Sequence, residues 1–325
     1  MGTLKGNIRS IRQLREIFKS NDFSFIHVHS PLGSILGRFV AKQFKVPAIY
    51  TAHGFHFFKG GPKSGWLVFY PLEWFFAFIT DTLITINDED YELAEKHMHA
   101  KNVIKINGIG VEIEKAWSVS EEKKVLARET IRRELGIPEK AFLISSVGEL
   151  SHRKNHKIVL EALKILSPEQ RRSIYYVIAG TGDNKNMLND LAKSFQFEGH
   201  FKLLGYRSDV HDINYASDVF VFPSLQEGLG IAGLEATVDG TFLIGSMKRG
   251  IADYIENNNN GIILSKMNYK AMAQALETVF VRFNNEKGSI QKKHYDFLSS
   301  FDCKSVDNKM RTIYIKEIGL SLIHI

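Results

Sequence analysis

The 325 residues are 44% hydrophobic and 24% charged, a globular composition long enough for two domains of ordinary size, which excludes a disordered chain. A formal net charge of +6 and an isoelectric point near 9.1 suit anionic partners such as nucleotides or phospholipid headgroups; the basic residues are scattered and no nucleic-acid-binding motif appears, so nucleic acid is not expected. The single cysteine, Cys303, excludes an intrachain disulfide or a cysteine-cluster metal site and fits a reducing compartment, while residues 1–19 have no apolar core, so no signal peptide is expected there.

In chain order, apolar positions at helical spacing predict a helix over 7–19, then a strand over 23–28, Ser30-Pro31 and a helix around 34–42. A strand over 46–51 ends in Thr51-Ala52-His53-Gly54-Phe55-His56. Taken alone, His53 reads first as a buried histidine bonded to a backbone carbonyl. His27, His29 and His56 lie near it in sequence, but no acidic partner at ligand spacing supports a metal. Residues 66–79, WLVFYPLEWFFAFI, are the most aromatic stretch; with Pro71 and Glu73 inside it and a span needing about 20 residues, it is not membrane-spanning. It reads either as a core helix packed on a sheet or as an interfacial surface, with Lys59 and Lys63 facing anionic headgroups. A strand over 82–86 precedes Asn87-Asp88-Glu89-Asp90, which caps a helix over 91–99; a fourth strand covers 103–106, and Asn107–Val111 is a glycine-punctuated break.

After a charged helical connector over 116–135, a strand over 141–147 turns through Gly148-Glu149-Leu150-Ser151-His152-Arg153-Lys154 into a helix over 157–166. A strand over 174–179 ends in Gly180-Thr181-Gly182-Asp183 before a helix over 186–195; the third glycine and the spaced acid of a dinucleotide fingerprint are missing, so a nicotinamide cofactor is set aside. A strand over 201–204 leads to Gly205-Tyr206-Arg207, and one over 218–222 to Gln226–Thr237, QEGLGIAGLEAT, whose Gly228 and Gly230 turn the backbone into a helix starting near Ile231. Such a loop-to-helix start exposes N–H groups to phosphate, with Glu227 at its mouth and Glu235 about two turns further in, placed to bond sugar or ribose hydroxyls. Strands over 241–245 and 262–264 and helices over 269–284, 292–299 and 305–318 complete the chain; 321–325 match no pattern. Alternating strands and helices predict an α/β fold of doubly wound parallel sheets with ligands at the carboxyl ends of their strands.

The Glu227-x7-Glu235 spacing, with TAHGFHFFKGGP and the Gly148–Lys154 turn, resembles retaining GT-B glycosyltransferases of family 4, the group 1 type found in capsule and exopolysaccharide synthesis. The resemblance implies that His53 and Glu227 contact the donor hexose, Glu235 and Leu229 with Gly228 and Gly230 the nucleotide end, and Gly148 and Lys154 the diphosphate. It places the base along Gly205, Tyr206 and Arg207. Where the family carries arginine straight after the glycine this chain has Glu149, leaving Arg153 as the nearest second cation, and Gly240-Thr241 stands for the usual Gly-x-Pro. The resemblance also implies two Rossmann-like domains, 1–113, an incomplete N-terminal domain, and 114–298, a nucleotide-sugar-binding domain, with 299–325 a closing helix that returns to the first; a family strand and glycine-rich turn are not found ahead of Asn7, which implies a chain lacking its first strands and a sheet with an open edge. The implied reaction moves a hexose or N-acetylhexosamine from a nucleoside-diphosphate sugar, UDP in preference, to a lipid-linked or saccharide acceptor, without metal or cofactor, at the inner face of the cell membrane. A nucleotide-sugar epimerase on the same architecture, or a non-catalytic remnant, are the competing readings.

Overall fold

The structure is a computed structural model that describes residues 3–247, 249–285 and 293–319. It divides into two compact units: residues up to Gly110 together with those from Cys303 onward, and Val111–Asp302.

In the first unit four parallel strands lie side by side in chain order: β1 (Ile26–His29), β2 (Ala48–Ala52), β3 (Thr82–Thr85) and β4 (Asn102–Lys105). Every residue of β2 and β3 is buried, as expected for the middle of a parallel sheet covered on both faces. β1 forms an edge and begins later than the apolar run suggests, because Phe23 packs on Phe18 of helix α1 (Leu4–Ser20), ring centroids 5.0 Å apart, and stays out of the sheet. Helix α2 (Pro31–Phe44) carries Arg38, 1% exposed, into the interior.

The aromatic stretch forms a π-helical turn, Gly65–Phe69, that runs into α3 (Tyr70–Ala77). Gly65 is required there, since a Cβ would meet the His56 carbonyl oxygen at 2.1 Å. Glu73, the one acid of the stretch, points inward: Arg38 Nη2 donates to its Oε2 at 2.9 Å and the Tyr50 hydroxyl to its Oε1 at 2.9 Å. A buried acid needs such partners, so this pair fixes the roll of α3 and leaves Leu67, Phe75 and Phe78 at 76%, 62% and 54% exposure. The helix is therefore half core and half surface. Helix α4 (Asp88–His97) is capped as expected, the Asn87 side chain accepting from the Asp90 N–H. The closing helix, Cys303–Glu317, belongs to this unit; its Tyr314 hydroxyl lies 2.7 Å from His27 Nδ1, and Thr82 Oγ1 donates to Glu317. Residues 321–325 fall outside the described residues.

The connector expected as one helix over 116–135 is two, α5 (Ile113–Trp117) and α6 (Glu121–Glu134), with Ser120 capping the second. The second unit continues β5 (Phe142–Val147), α7 (Lys157–Ile165), α8 (Pro168–Ser173), β6 (Ile174–Ala179), α9 (Lys185–Lys193), β7 (Phe201–Gly205), α10 (Val210–Ala216), β8 (Val219–Phe222), α11 (Ile231–Val238), β9 (Phe242–Ser246), β10 (Gly261–Leu264) and α12 (Tyr269–Asn285). α8 and α10 are absent from the sequence reading; α8 opens on a Ser167/Gln170 capping box, a signal that was legible. Of the helix expected over 292–299, Lys292 lies outside the described residues and Asp296–Phe301 is a 3₁₀ turn.

All six strands are parallel, in the order β10-β9-β8-β5-β6-β7. One apolar layer includes α7 and α12 and the opposite one α6 and α10. The chain direction across the sheet reverses between β5 and β8, and the loops after these two strands flank that switch point, where open α/β sheets bind ligands. The ending of α11, where Gly240-Thr241 stands for Gly-x-Pro, is tied down: Asp239 accepts from Asn214 Nδ2 at 2.7 Å and meets His211 Nδ1 at 2.9 Å, Gly240 takes φ +81°, and Thr241 Oγ1 donates to the Asn214 carbonyl.

Candidate active site

The loops after β5, β6 and β7 are laced together through the backbone. Gly148 N–H donates to the Ala179 carbonyl, Leu150 N–H to Thr181 and Gly180 N–H to Gly205. At Gly180, φ +154°, a Cβ would sit 1.9 Å from the Gly148 carbonyl oxygen, so no side chain fits. The loops enclose a cleft of about 450 Å³ lined by Gly148, Glu149, Gly180, Thr181, Gly182, Tyr206 and Arg207. Tyr206 is 85% exposed at its rim. Arg207 is committed, forking onto Glu134 at 2.5 Å and Asp209 at 2.6 Å, which raises its own pKa and lowers those of both acids.

Across the switch point the loops after β5 and β8 converge. Leu225 N–H donates to the Arg153 carbonyl and Asn155 Nδ2 to that of Pro223. Lys154 Nζ lies 2.7 Å from Glu227 Oε1, and Arg153 Nη1 lies 3.1 Å from the same oxygen while also donating to the Gln226 carbonyl. Thus two cations share one buried carboxylate, and the Arg153 proposed as second cation from sequence joins Lys154 there. The ammonium also sits 4.7 Å from the Phe222 ring centroid. Gly148 leaves room for its stem: a Cβ there would come within 3.2 Å of Lys154 Cε. His156, behind the turn, is buried; burial first and the Lys154 charge second push its pKa down to about 4, so it is neutral at physiological pH.

Gly230 starts α11 in the left-handed region, φ +83°, and its carbonyl accepts from the Tyr254 hydroxyl at 2.9 Å. Leu229 is buried, and Gly250 N–H donates to the Gly228 carbonyl, so the turn is pinned from below. The first N–H groups of α11 lack intrahelical acceptors, as at any helix start. Glu235, one turn and a half into the helix, makes no ion pair with Lys154 or Arg153 among the described residues; it is half-buried, burial raises its pKa, and its carboxylate has no protein hydrogen bond there.

His53 belongs to the first unit. There His27, His29, Thr51, His53, Asp307 and Tyr314 line a cavity of about 210 Å³ at the carboxyl ends of β1 and β2, with Ile86, Ile106, Ile109, Val306 and Met310 as apolar walls. Asp307 and Tyr314 come from the closing helix and carry no local sequence signal for this role. Among the described residues no group of three or more His, Cys, Asp or Glu is placed to hold a metal ion, and no described helix is long and apolar enough to cross a membrane.

The family profile described as Glycosyl transferases group 1 matches residues 127–282, and that of Glycosyl transferase 4-like matches 2–87. EpsD of Bacillus subtilis (strain 168), named as a glycosyltransferase, is 33% identical over 278 residues, covering 84% of this chain and 72% of EpsD. The UDP-Gal:alpha-D-GlcNAc-diphosphoundecaprenol alpha-1,3-galactosyltransferase of Escherichia coli is 32% identical over 320 residues, 95% of this chain and 79% of that one. Among solved structures, Anabaena Alr3699/HepE in complex with UDP and glucose superposes with a TM-score of 0.76 at 16% identity over 95% of this chain and 81% of its own. Sucrose-phosphate synthase of Thermosynechococcus elongatus gives 0.75 at 16% over 99% and 81%. The expected two Rossmann-like sheets and the expected enzyme class stand together in these relatives: the chain belongs to the group 1 glycosyltransferases and has the GT-B fold.

Proposed function

We propose that this glycosyltransferase takes its sugar from a UDP-sugar, retains configuration at the anomeric carbon, and serves polysaccharide synthesis on a lipid-linked or saccharide acceptor. The observation that carries the donor assignment is the Lys154–Glu227 contact at the switch point of the second unit. Relatives support the acceptor class: the Escherichia coli enzyme and an N-acetylgalactosaminyltransferase of Campylobacter jejuni are named for diphosphoundecaprenol-linked substrates.

As the bond from the anomeric carbon to the phosphate oxygen breaks, negative charge grows on the diphosphate. Lys154 and the free N–H groups of α11 meet it as fixed positive potential. Lys154 then exchanges Glu227 for phosphate; Arg153 keeps the carboxylate compensated, and Glu227 turns to sugar hydroxyls. Glu235 takes the ribose hydroxyls, and Gly148, Gly205 and Tyr206 border the cleft for the base, with Arg207 bracing its wall. His53 is assigned to hydroxyls of the hexose. The acceptor oxygen bonds to the anomeric carbon on the face the phosphate leaves, and its proton passes to the departing phosphate.

The outward face of residues 66–78 fits an anionic bilayer. Phe75 and Phe78 are exposed on it, Lys42, Lys45 and Lys101 line a groove with Phe78, and Lys59 and Lys63 are exposed on the loop that leads into the stretch, aromatic and cationic groups that favour the headgroup region. Labelled UDP-glucose and UDP-galactose, incubated with enzyme and undecaprenol-linked GlcNAc diphosphate, should give lipid-extractable label. Free epimerised nucleotide sugar, or no turnover with either donor, would overturn the reading.

A further inference from the structure

His29 Nδ1 and His53 Nε2 are 3.0 Å apart, their ring centroids separated by 5.2 Å. Two bare imidazole nitrogens repel at that distance, so a neutral pair holds one proton between them. His27 stands behind His29, ring centroids 4.2 Å apart, with both its nitrogens committed: Nδ1 to the Tyr314 hydroxyl at 2.7 Å and Nε2 to Thr51 Oγ1 at 2.8 Å. His29 and His53 differ from it, each spending one nitrogen on the other and keeping one with no protein partner among the described residues, both rings lining the same cavity. Bookkeeping of one shared proton then dictates that, of the two outer nitrogens, one donates and the other accepts.

We propose that His29 is a positioning residue for sugar transfer: it occupies Nε2 of His53, leaves Nδ1 as the only His53 nitrogen able to meet a sugar hydroxyl, and sets whether that nitrogen donates or accepts. This rests on the assignment of His53 to the sugar. Without His29 the His53 ring can flip and exchange tautomers, so the hydroxyl meets the correct nitrogen only part of the time. The loss falls on the reacting geometry more than on donor affinity, which the diphosphate dominates.

The test uses the full chain with UDP release from whichever of UDP-glucose and UDP-galactose turns over. His29→Phe should lower kcat about tenfold with KM within about twofold, the size of one misplaced hydrogen bond. His29→Asn, whose amide falls near the lost Nδ1, should recover kcat to within about threefold, whereas His29→Gln, which reaches past it, should not. Long-range ¹⁵N–¹H spectra of the histidine rings should show the His53 nitrogens changing tautomer balance in His29→Phe and holding it in His29→Asn. Unchanged kcat in His29→Phe while His53→Ala is impaired, or His53 ring signals indifferent to His29, overturns the proposal. Wild-type kinetics in His53→Ala removes the sugar role of His53, and the proposal with it; that failure is told apart because the His29-dependent ring signals persist.

Discussion

At the strand ends of the second unit, Lys154 and Arg153 form ion pairs with Glu227 at 2.7 and 3.1 Å. At those of the first unit, His27 and His53 have pKa values pushed down, in both cases by burial first and by neighbouring histidine second, His27 to about 4, so these two imidazoles are neutral at physiological pH. The carboxyl edges of the two parallel sheets thus carry two kinds of chemistry. Full charge suits a leaving diphosphate, where potential must already be in place; neutral imidazole suits hydroxyls, which need a donor and an acceptor and gain little from net charge.

The contrast breaks most readily at Lys154. Lys154→Ala should cut kcat by about a hundredfold to a thousandfold, the usual loss when one preorganised partner of a developing anion is removed, and stopped-flow turnover of the donor would measure it. Glu227→Gln should separate two roles. It frees Lys154, so calorimetry should find UDP bound about threefold to fivefold more tightly, while kcat falls through the lost sugar contact. Unchanged UDP affinity would mean that the carboxylate and the diphosphate do not compete.

The neutral histidines predict a pH dependence of stability. His27 and His156 have folded pKa values near 4 against 6.5 unfolded, so between those limits the unfolded chain binds protons the folded one refuses. Stability should therefore fall as pH drops through that window and be fully present above 6.5. Thermal midpoints at about pH 7.5 and pH 5 test this, and His156→Leu should flatten part of the slope. The smallest effect on chemistry is expected at the aromatic surface: Phe75→Ser with Phe78→Ser should leave UDP release unchanged within about twofold while abolishing co-sedimentation with vesicles containing phosphatidylglycerol.

The alternation of apolar strands with helices made the two sheets legible, and the Glu227-x7-Glu235 and Gly148–Lys154 turns marked where a ligand would sit. The family resemblance assigned Lys154 and Glu227 to one donor, but the direct contacts were not legible. Lys154 meets Glu227, and His27 meets Tyr314, across stretches of chain whose path only the fold decides. Local misreadings have local causes: Phe23 chose Phe18 over the sheet, and Ser120 restarted a helix that periodicity had run straight through. A stretch as apolar as 66–78 has no polar side from which to read its orientation, and its one acid, Glu73, marks the inner side only because Arg38 waits beneath it.

That Arg38–Glu73 bond separates two kinds of evolutionary freedom. Because direction is set from within by a single ionic peg, the outward residues of α3 can be exchanged for others of different size or greasiness without turning the helix. A lineage could change the character of that outer face while the sheet beneath keeps its shape.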